Sequence, residues 1–267
     1  MGIIMTKGEK KEFIKTGITG FDSLFEEGIP KGSPIILAGG TGTGKTIFCL
    51  QTLVNQVKNG KRCYYMSFEE SEEKLISHMV DFGWNPEELI KSGNLKIKRF
   101  LTSEIYYYDK DQKIGGGIQA MMTKDVDPLL MELEPLAVTE ATGFKPDFIV
   151  IDSLSAISST FGGKGQSYRF YIERLFRFFE KIGSTNFLVT ETAQLPEVFS
   201  PSGVEEFLAD GVIVFYNIRK ANVRETAIEV LKMRGAKHQK KIVAMKITDK
   251  GIKVFPDQEV FGAVHIK

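Results

Sequence analysis

The chain has 267 residues, 42% of them hydrophobic, and its 35 basic and 34 acidic side chains leave a net charge of +1. That length and apolar content suit one large α/β domain better than two small ones, and the charge balance excludes a surface basic all over, as a general nucleic-acid binder would need. Cys49 and Cys63 stand in no metal-like spacing and read as reduced core residues, and no run is long and apolar enough for a signal peptide or membrane span, so the expectation is a cytoplasmic protein with no membrane partner.

In chain order, short apolar runs at 35–38, 63–68, 95–100, 148–151, 187–189 and 212–215 read as strands. Several are apolar on both faces, as parallel strands are when helices cover both sides of the sheet. Between the first two, TIFCLQTLVNQVKNG repeats Ile47, Leu50, Val54 and Val57 at helical spacing and stops at Gly60. Residues 102–127 read as a mobile loop and 128–142 as a helix. SYRFYIERLFRFFEKIG then puts Ile172, Leu175, Phe179 and Ile182 on one stripe, with Glu173 four residues before Arg177 on the other face. Aromatics that dense read as core or interface rather than as ligand contacts. RETAIEVLKMRG, KKIVAMKIT and GIKVFP read as strands, with Asp249-Lys250-Gly251 as a hairpin turn. The predicted fold is α/β: a mostly parallel central sheet flanked by helices, with a C-terminal antiparallel extension and no internal repeat.

The chemistry concentrates where the first strand meets the first helix. Residues 39–46, GGTGTGKT, fit G-x-x-x-x-G-K-[ST] in the required strand-to-helix context. A phosphate chain needs several backbone N–H groups converging on it, which small residues with free φ allow, and the helix adds its positive N-terminal dipole. The expected nucleotide contacts are Gly42, Thr43, Gly44, Lys45, Thr46 and Ile47. Lys45 reaches the terminal phosphates and the Thr46 hydroxyl ligates Mg²⁺. A second metal-linked group belongs at the end of a neighbouring strand, and FIVIDSLS supplies Asp152, which could alternatively cap the helix that follows. Hydrolysis also needs a carboxylate beside the terminal phosphate to orient or deprotonate water. Glu69 and Glu70, ending the second strand, sit at that edge. From spacing alone they compete with a capping box, since Ser67 precedes Glu70 by three before a helix at about 72–80.

TGITGFDSLFEEGIPKGSPIILAGGTGTGKT, FEES, Phe82-Gly83-Trp84, FIVIDSLS, VEEFLADGVIVF, VLKMRGAKH and ITDKGIKVFP together resemble the ATPase domain of the KaiC family, within the RecA superfamily. The blocks span 14–256 in the family's order, leaving 1–13 and 257–267 as tails, and the chain is similar to one such domain standing alone. The resemblance implies a RecA-like fold, ATP as substrate, Mg²⁺ as cofactor, and Glu69 and Glu70 as the catalytic glutamates with Lys45. It also implies a homo-oligomer, a hexameric ring with ATP between neighbours. Lys232, Met233, Arg234, His238, Thr248 and Asp249 then belong to the side that lines the nucleotide in trans. Without the resemblance, the basic residues from 232 to 241 read as a solvated strand edge. Ala236 lacks the hydroxyl the family often carries there, and Asp81 replaces a small hydroxyl residue near the base.

The implied activity is slow ATP turnover that drives a change of ring conformation for an unidentified regulatory protein partner. A DNA recombination or repair motor would use pore loops at 158–167 and 193–203. Those carry a single lysine and little aromatic surface, so DNA is disfavoured. An autokinase would find Ser200 and Ser202 near the subunit edge, without an adjacent Ser-Thr acceptor pair. An accessory ATPase of archaeal motility shares the same fold.

Overall fold

The computed structural model describes residues 11–102, 133, 136, 143–161, 165–220 and 222–260. The predicted loop at 102–127, apart from Thr102, lies outside the described residues, as does the predicted helix at 128–142 except for Leu133 and Leu136, which are helical and buried. A two-stranded ribbon, β1 (Phe13–Ile14) with β2 (Ile29–Pro30), precedes the main sheet. The other strands are β3 (Pro34–Gly39), β4 (Cys63–Ser67), β5 (Leu95–Arg99), β6 (Phe148–Asp152), β7 (Thr185–Glu191), β8 (Gly211–Lys220), β9 (Val223–Met233), β10 (Val243–Thr248) and β11 (Gly251–Glu259). They form one sheet of 9 strands in the order β11-β10-β9-β8-β3-β7-β6-β4-β5. Pairing is parallel from β8 to β5 and antiparallel from β8 to β11.

Each of the six predicted apolar runs is one of the parallel strands, and the reason shows in β3. Ile35 and Leu37 face one core while Ile36 and Ala38 face the other, so no polar position interrupts the strand. The first core is closed by α1 (Lys45–Lys58), α2 (Glu72–Asp81) and α3 (Pro86–Lys91). The second is closed by α4 (Leu154–Ser159) and α5 (Gly165–Ile182). On α5 the predicted stripe of Ile172, Leu175, Phe179 and Ile182 is fully buried, and Tyr168, Tyr171, Phe176 and Phe178 join it, so this helix's aromatics are mostly core. The last short helix, α6 (Val204–Leu208), precedes β8.

The ribbon β1–β2 carries no readable sequence signal because two-residue strands have no period. Side chains hold it instead: Asn55 donates to the Thr16 carbonyl at 3.1 Å and Gln56 to the Lys15 carbonyl at 2.6 Å. Asp22 accepts from the Thr16 and Gly17 amides at 2.7 and 2.8 Å. Gly20, with φ +81°, seats this segment on β11, and a Cβ there would lie 2.0 Å from the Val254 carbonyl oxygen. Both the positive φ and the overlap forbid a side chain, so Gly20→Ala is expected to cost about 2–3 kcal/mol, read as a lowered Tm.

Strand direction decides what can meet. The carboxyl ends of β3, β4, β6 and β7 open on one edge of the sheet. Because β9 runs against β8, its end at Met233 lies opposite Gly211, where β8 begins, at the far edge. A further reversal brings the end of β10, at Thr248, back to the first edge.

Candidate nucleotide-binding site

Between β3 and α1 the glycine-rich loop turns back on itself. Gly42 and Gly44 take φ of +76° and +95°, and a Cβ on Gly42 would meet nothing, so the loop opens there. Gly40 has no such room: a Cβ would sit 2.6 Å from the Gln194 amide, whose nitrogen donates to the Thr41 carbonyl at 3.3 Å. Lys45, only 7% exposed, donates to the Gly39 and Gly40 carbonyls at 2.8 and 3.0 Å. Burial lowers its pKa, and the carboxylates of Glu191, Asp152 and Glu69 oppose that shift.

From the next residue, the Thr46 hydroxyl donates to Asp152 Oδ2 at 3.0 Å. The buried Tyr65 hydroxyl donates to the same oxygen. Burial raises the Asp152 carboxyl, and the Tyr65 and Thr46 hydrogen bonds together with the Lys45 charge pull it back. Asp152 does not cap α4. That cap is Ser153, whose Oγ accepts from the Ala156 amide at 3.2 Å.

The two glutamates part company. Glu69 accepts from the Ser153 hydroxyl. Loss of solvent around its carboxyl raises its pKa, the Ser153 hydrogen bond lowers it, and the charges of Asp152 and Glu191 raise it again. Glu70 instead meets Nε2 of His78, on the last turn of α2, at 2.9 Å. Nor do these residues form a capping box. Ser67 Oγ accepts from the Glu70 amide at 3.0 Å and donates to the Glu70 carbonyl at 2.7 Å, while α2 is capped by Ser71. The P-loop, both glutamates, His78, Asp152, Glu191 and Ile247 enclose a cleft of about 280 Å³.

Several of these residues escape a reading of sequence. Glu191 ends the strand beside the P-loop strand, and the strand-terminal rule that selects Asp152 would have selected it too. Tyr65, inside an apolar run, and His78, on a helix's outer turn, carry no signal of their own.

The residues expected from a neighbouring copy divide between the two edges. Lys232 and Arg234 lie at the far edge and grip the end of α6. Lys232 donates to the Glu206 and Ala209 carbonyls at 2.7 and 2.6 Å, and Arg234 to the Phe207 carbonyl at 2.9 Å. Met233 between them is buried. His238 bridges to Phe25 in a short antiparallel pairing, and neither ring nitrogen has a hydrogen-bond partner among the described residues. Thr248 and Asp249, by contrast, turn at the tip of the β10–β11 hairpin, directly after Ile247, which lines this chain's own cleft. From α6 a further chain of contacts runs inward. Glu206 accepts from the Phe199 amide at 2.7 Å and the Ser200 hydroxyl at 3.1 Å, and the Thr190 hydroxyl donates to the Phe199 carbonyl at 2.7 Å, one residue before Glu191.

A parallel sheet with a P-loop at its carboxyl edge, an acid at the end of β6, one strand beyond the P-loop strand's neighbour β7, and a flanking antiparallel extension define an α/β nucleotide-binding protein of the P-loop class. Within it the chain belongs to the KaiC ATPase family: the family model described as ATPase: KaiC matches residues 14–259, and that membership implies ATP binding. A UPF0273 protein of Thermotoga maritima is 30% identical over 247 residues, covering 92% of this chain and 96% of that protein. The circadian clock oscillator protein KaiC of a Nostoc species is 31% identical over 252 residues, 94% of this chain and 46% of that protein, so the chain spans about half the length of the clock proteins it matches. The crystal structure of a KaiC-like protein from Pyrococcus horikoshii superposes with a TM-score of 0.74 at 29% identity, over 92% of this chain and 100% of that one. No helix among the described residues is long and apolar enough to cross a membrane.

Proposed function

We propose that the chain hydrolyses Mg-ATP in this cleft, and that copies assembled as a ring, six by the family resemblance, complete one another's sites. The observation that carries the first part is the meeting of Lys45, the Thr46–Asp152 pair and both glutamates at one sheet edge. The P-loop amides and the dipole of α1 would take the phosphates, with Lys45 leaving the Gly39 and Gly40 carbonyls for phosphate oxygens. Mg²⁺ fits the donors present. Among the described residues no cluster of three or more acids, histidines or cysteines could cage a metal alone, while a hydroxyl and a carboxylate stand side by side. That is the donor set of an ion that keeps several waters and takes its remaining ligands from phosphate. Bound there, it would neutralise charge on the terminal phosphates. Glu69 and Glu70 would orient water and accept its proton.

The second part rests on strand direction. Lys232 and Arg234 end an antiparallel strand at the edge opposite the chain's own P-loop, so the terminal phosphate they suit is another copy's. Thr248 and Asp249 lie at the P-loop edge, so here they are read as lining the chain's own nucleotide rather than the neighbour's. A regulatory role, with turnover driving a conformational change for a protein partner, fits that arrangement. Ser200 is buried and its hydroxyl is bonded to Glu206, which speaks against it as a phosphate acceptor.

Light scattering with and without Mg-ATP, followed by ATPase assay of the same fractions, tests both parts. Arg234→Ala is expected to leave ATP binding by monomers unchanged and to lower turnover in the assembly about 10- to 100-fold, with Lys232 retaining part of the stabilisation. Equal turnover by diluted monomers and assembled wild-type protein would remove the trans role.

A further inference from the structure

The two consecutive glutamates are held from different sides of the cleft, and only one of the two supports belongs to the phosphate-binding strands. Glu69 is bonded by Ser153, which follows the metal-linked Asp152. Glu70 is fixed twice. Its backbone is clamped at both amide and carbonyl by Ser67, and its carboxylate meets His78 Nε2 at 2.9 Å. The platform under His78 is rigid: Leu75 and Met79, on the same helix, are fully buried, and Ser71 caps the helix start. The imidazole itself is 42% exposed and opens on the cleft. A solvent-facing ion pair of this kind has little structural value. Yet this one ends inside a nucleotide site, on a carboxylate the site needs in one orientation.

We infer that His78 is a positioning residue for hydrolysis: from α2 it holds the Glu70 carboxylate over the cleft, so that Glu70 meets the attacking water in a fixed direction. This deepens the reading of Glu70 as a catalytic group and rests on it. In the last turn of α2 the imidazole also sits where a helix favours positive charge. As imidazolium it makes the stronger, charge-assisted bond to Glu70; as neutral imidazole it can still donate from Nε2 in one tautomer. The other charged groups that line this cleft are Lys45 from α1 and Glu69, Asp152 and Glu191 from the strand ends, with Lys74 and Asp81 on neighbouring turns of α2.

The test compares His78→Ala, His78→Gln and Glu70→Gln in the full chain, assayed with Mg-ATP. Loss of orientation without loss of the carboxylate should lower kcat of His78→Ala about tenfold, a fraction of the roughly 10²- to 10⁴-fold that a positioned base contributes, with KM for ATP unchanged. His78→Gln, which keeps a donor, should recover most of that rate. Glu70→Gln must itself be slow. If it is slow and His78→Ala turns over like wild type, the positioning role is wrong while the glutamate assignment stands. If Glu70→Gln is as fast as wild type, the glutamate assignment falls and His78 with it. A raised KM with unchanged kcat in His78→Ala would make His78 a nucleotide contact and overturn the inference.

Discussion

Lys45→Ala is expected to fold normally and to weaken Mg-ATP binding by more than about a hundredfold, a loss of about 3 kcal/mol. The ammonium is buried and now spends its hydrogen bonds on two P-loop carbonyls. Burial lowers its pKa, so its charge is costly to keep. A polyphosphate would reverse that balance by supplying anionic acceptors in place of peptide oxygens. Alanine removes the acceptors' partner and the cation together. Isothermal titration with a non-hydrolysable ATP analogue measures the affinity, and thermal melting without nucleotide checks the fold. A variant that binds the analogue as tightly as wild type would show that the glycine loop holds phosphate without its lysine.

The second large effect separates binding from chemistry. Glu69→Gln combined with Glu70→Gln should retain ATP affinity and lose turnover by on the order of 10³-fold. Neither side chain holds the P-loop, and glutamine keeps the volume and a hydrogen-bonding carbonyl for Ser153 and His78. What it cannot do is accept a proton. Burial of the Glu69 carboxyl, with Asp152 and Glu191 nearby, raises its pKa and makes it the more basic for it. A base of this kind works only while ionised. Turnover should therefore fall as pH drops through a carboxyl pKa above the ordinary glutamate value, and that acid limb should vanish in Glu69→Gln. Undiminished hydrolysis by the double variant would place the base elsewhere, and Glu191 would be the next carboxylate to replace.

The parallel sheet is legible because most of its strands are apolar on both faces, a pattern that buried β3 and β6 display, while the edge strand β5 alternates lysines with Leu95 and Ile97. The P-loop is legible because its glycines, lysine and threonine occupy fixed offsets between a strand and a helix. Capping was harder to read. Ser67 and Ser71 both stand before α2, and only the backbone path shows that Ser71 caps it while Ser67 clamps Glu70. Side-chain pairs between elements carry no sequence signal: Glu70 with His78 depends on how α2 lies over the strand ends. The same limit applies to Thr248 and Asp249, whose place at the P-loop edge only the strand order shows. A family motif records which residues gather near a nucleotide, and strand direction adds the sheet edge on which each one stands.

The grip of Lys232 and Arg234 on the end of α6 would have a cost if those cations turned to another copy's phosphate. The carbonyls of Glu206, Phe207 and Ala209 lose their donors, and each such group, if kept from water, is worth about 1–3 kcal/mol. The same helix end is joined through Glu206 to Phe199 and, from the Phe199 carbonyl, to Thr190. The trans contact proposed above would therefore draw on the same two side chains that now close the end of this subunit's own helix.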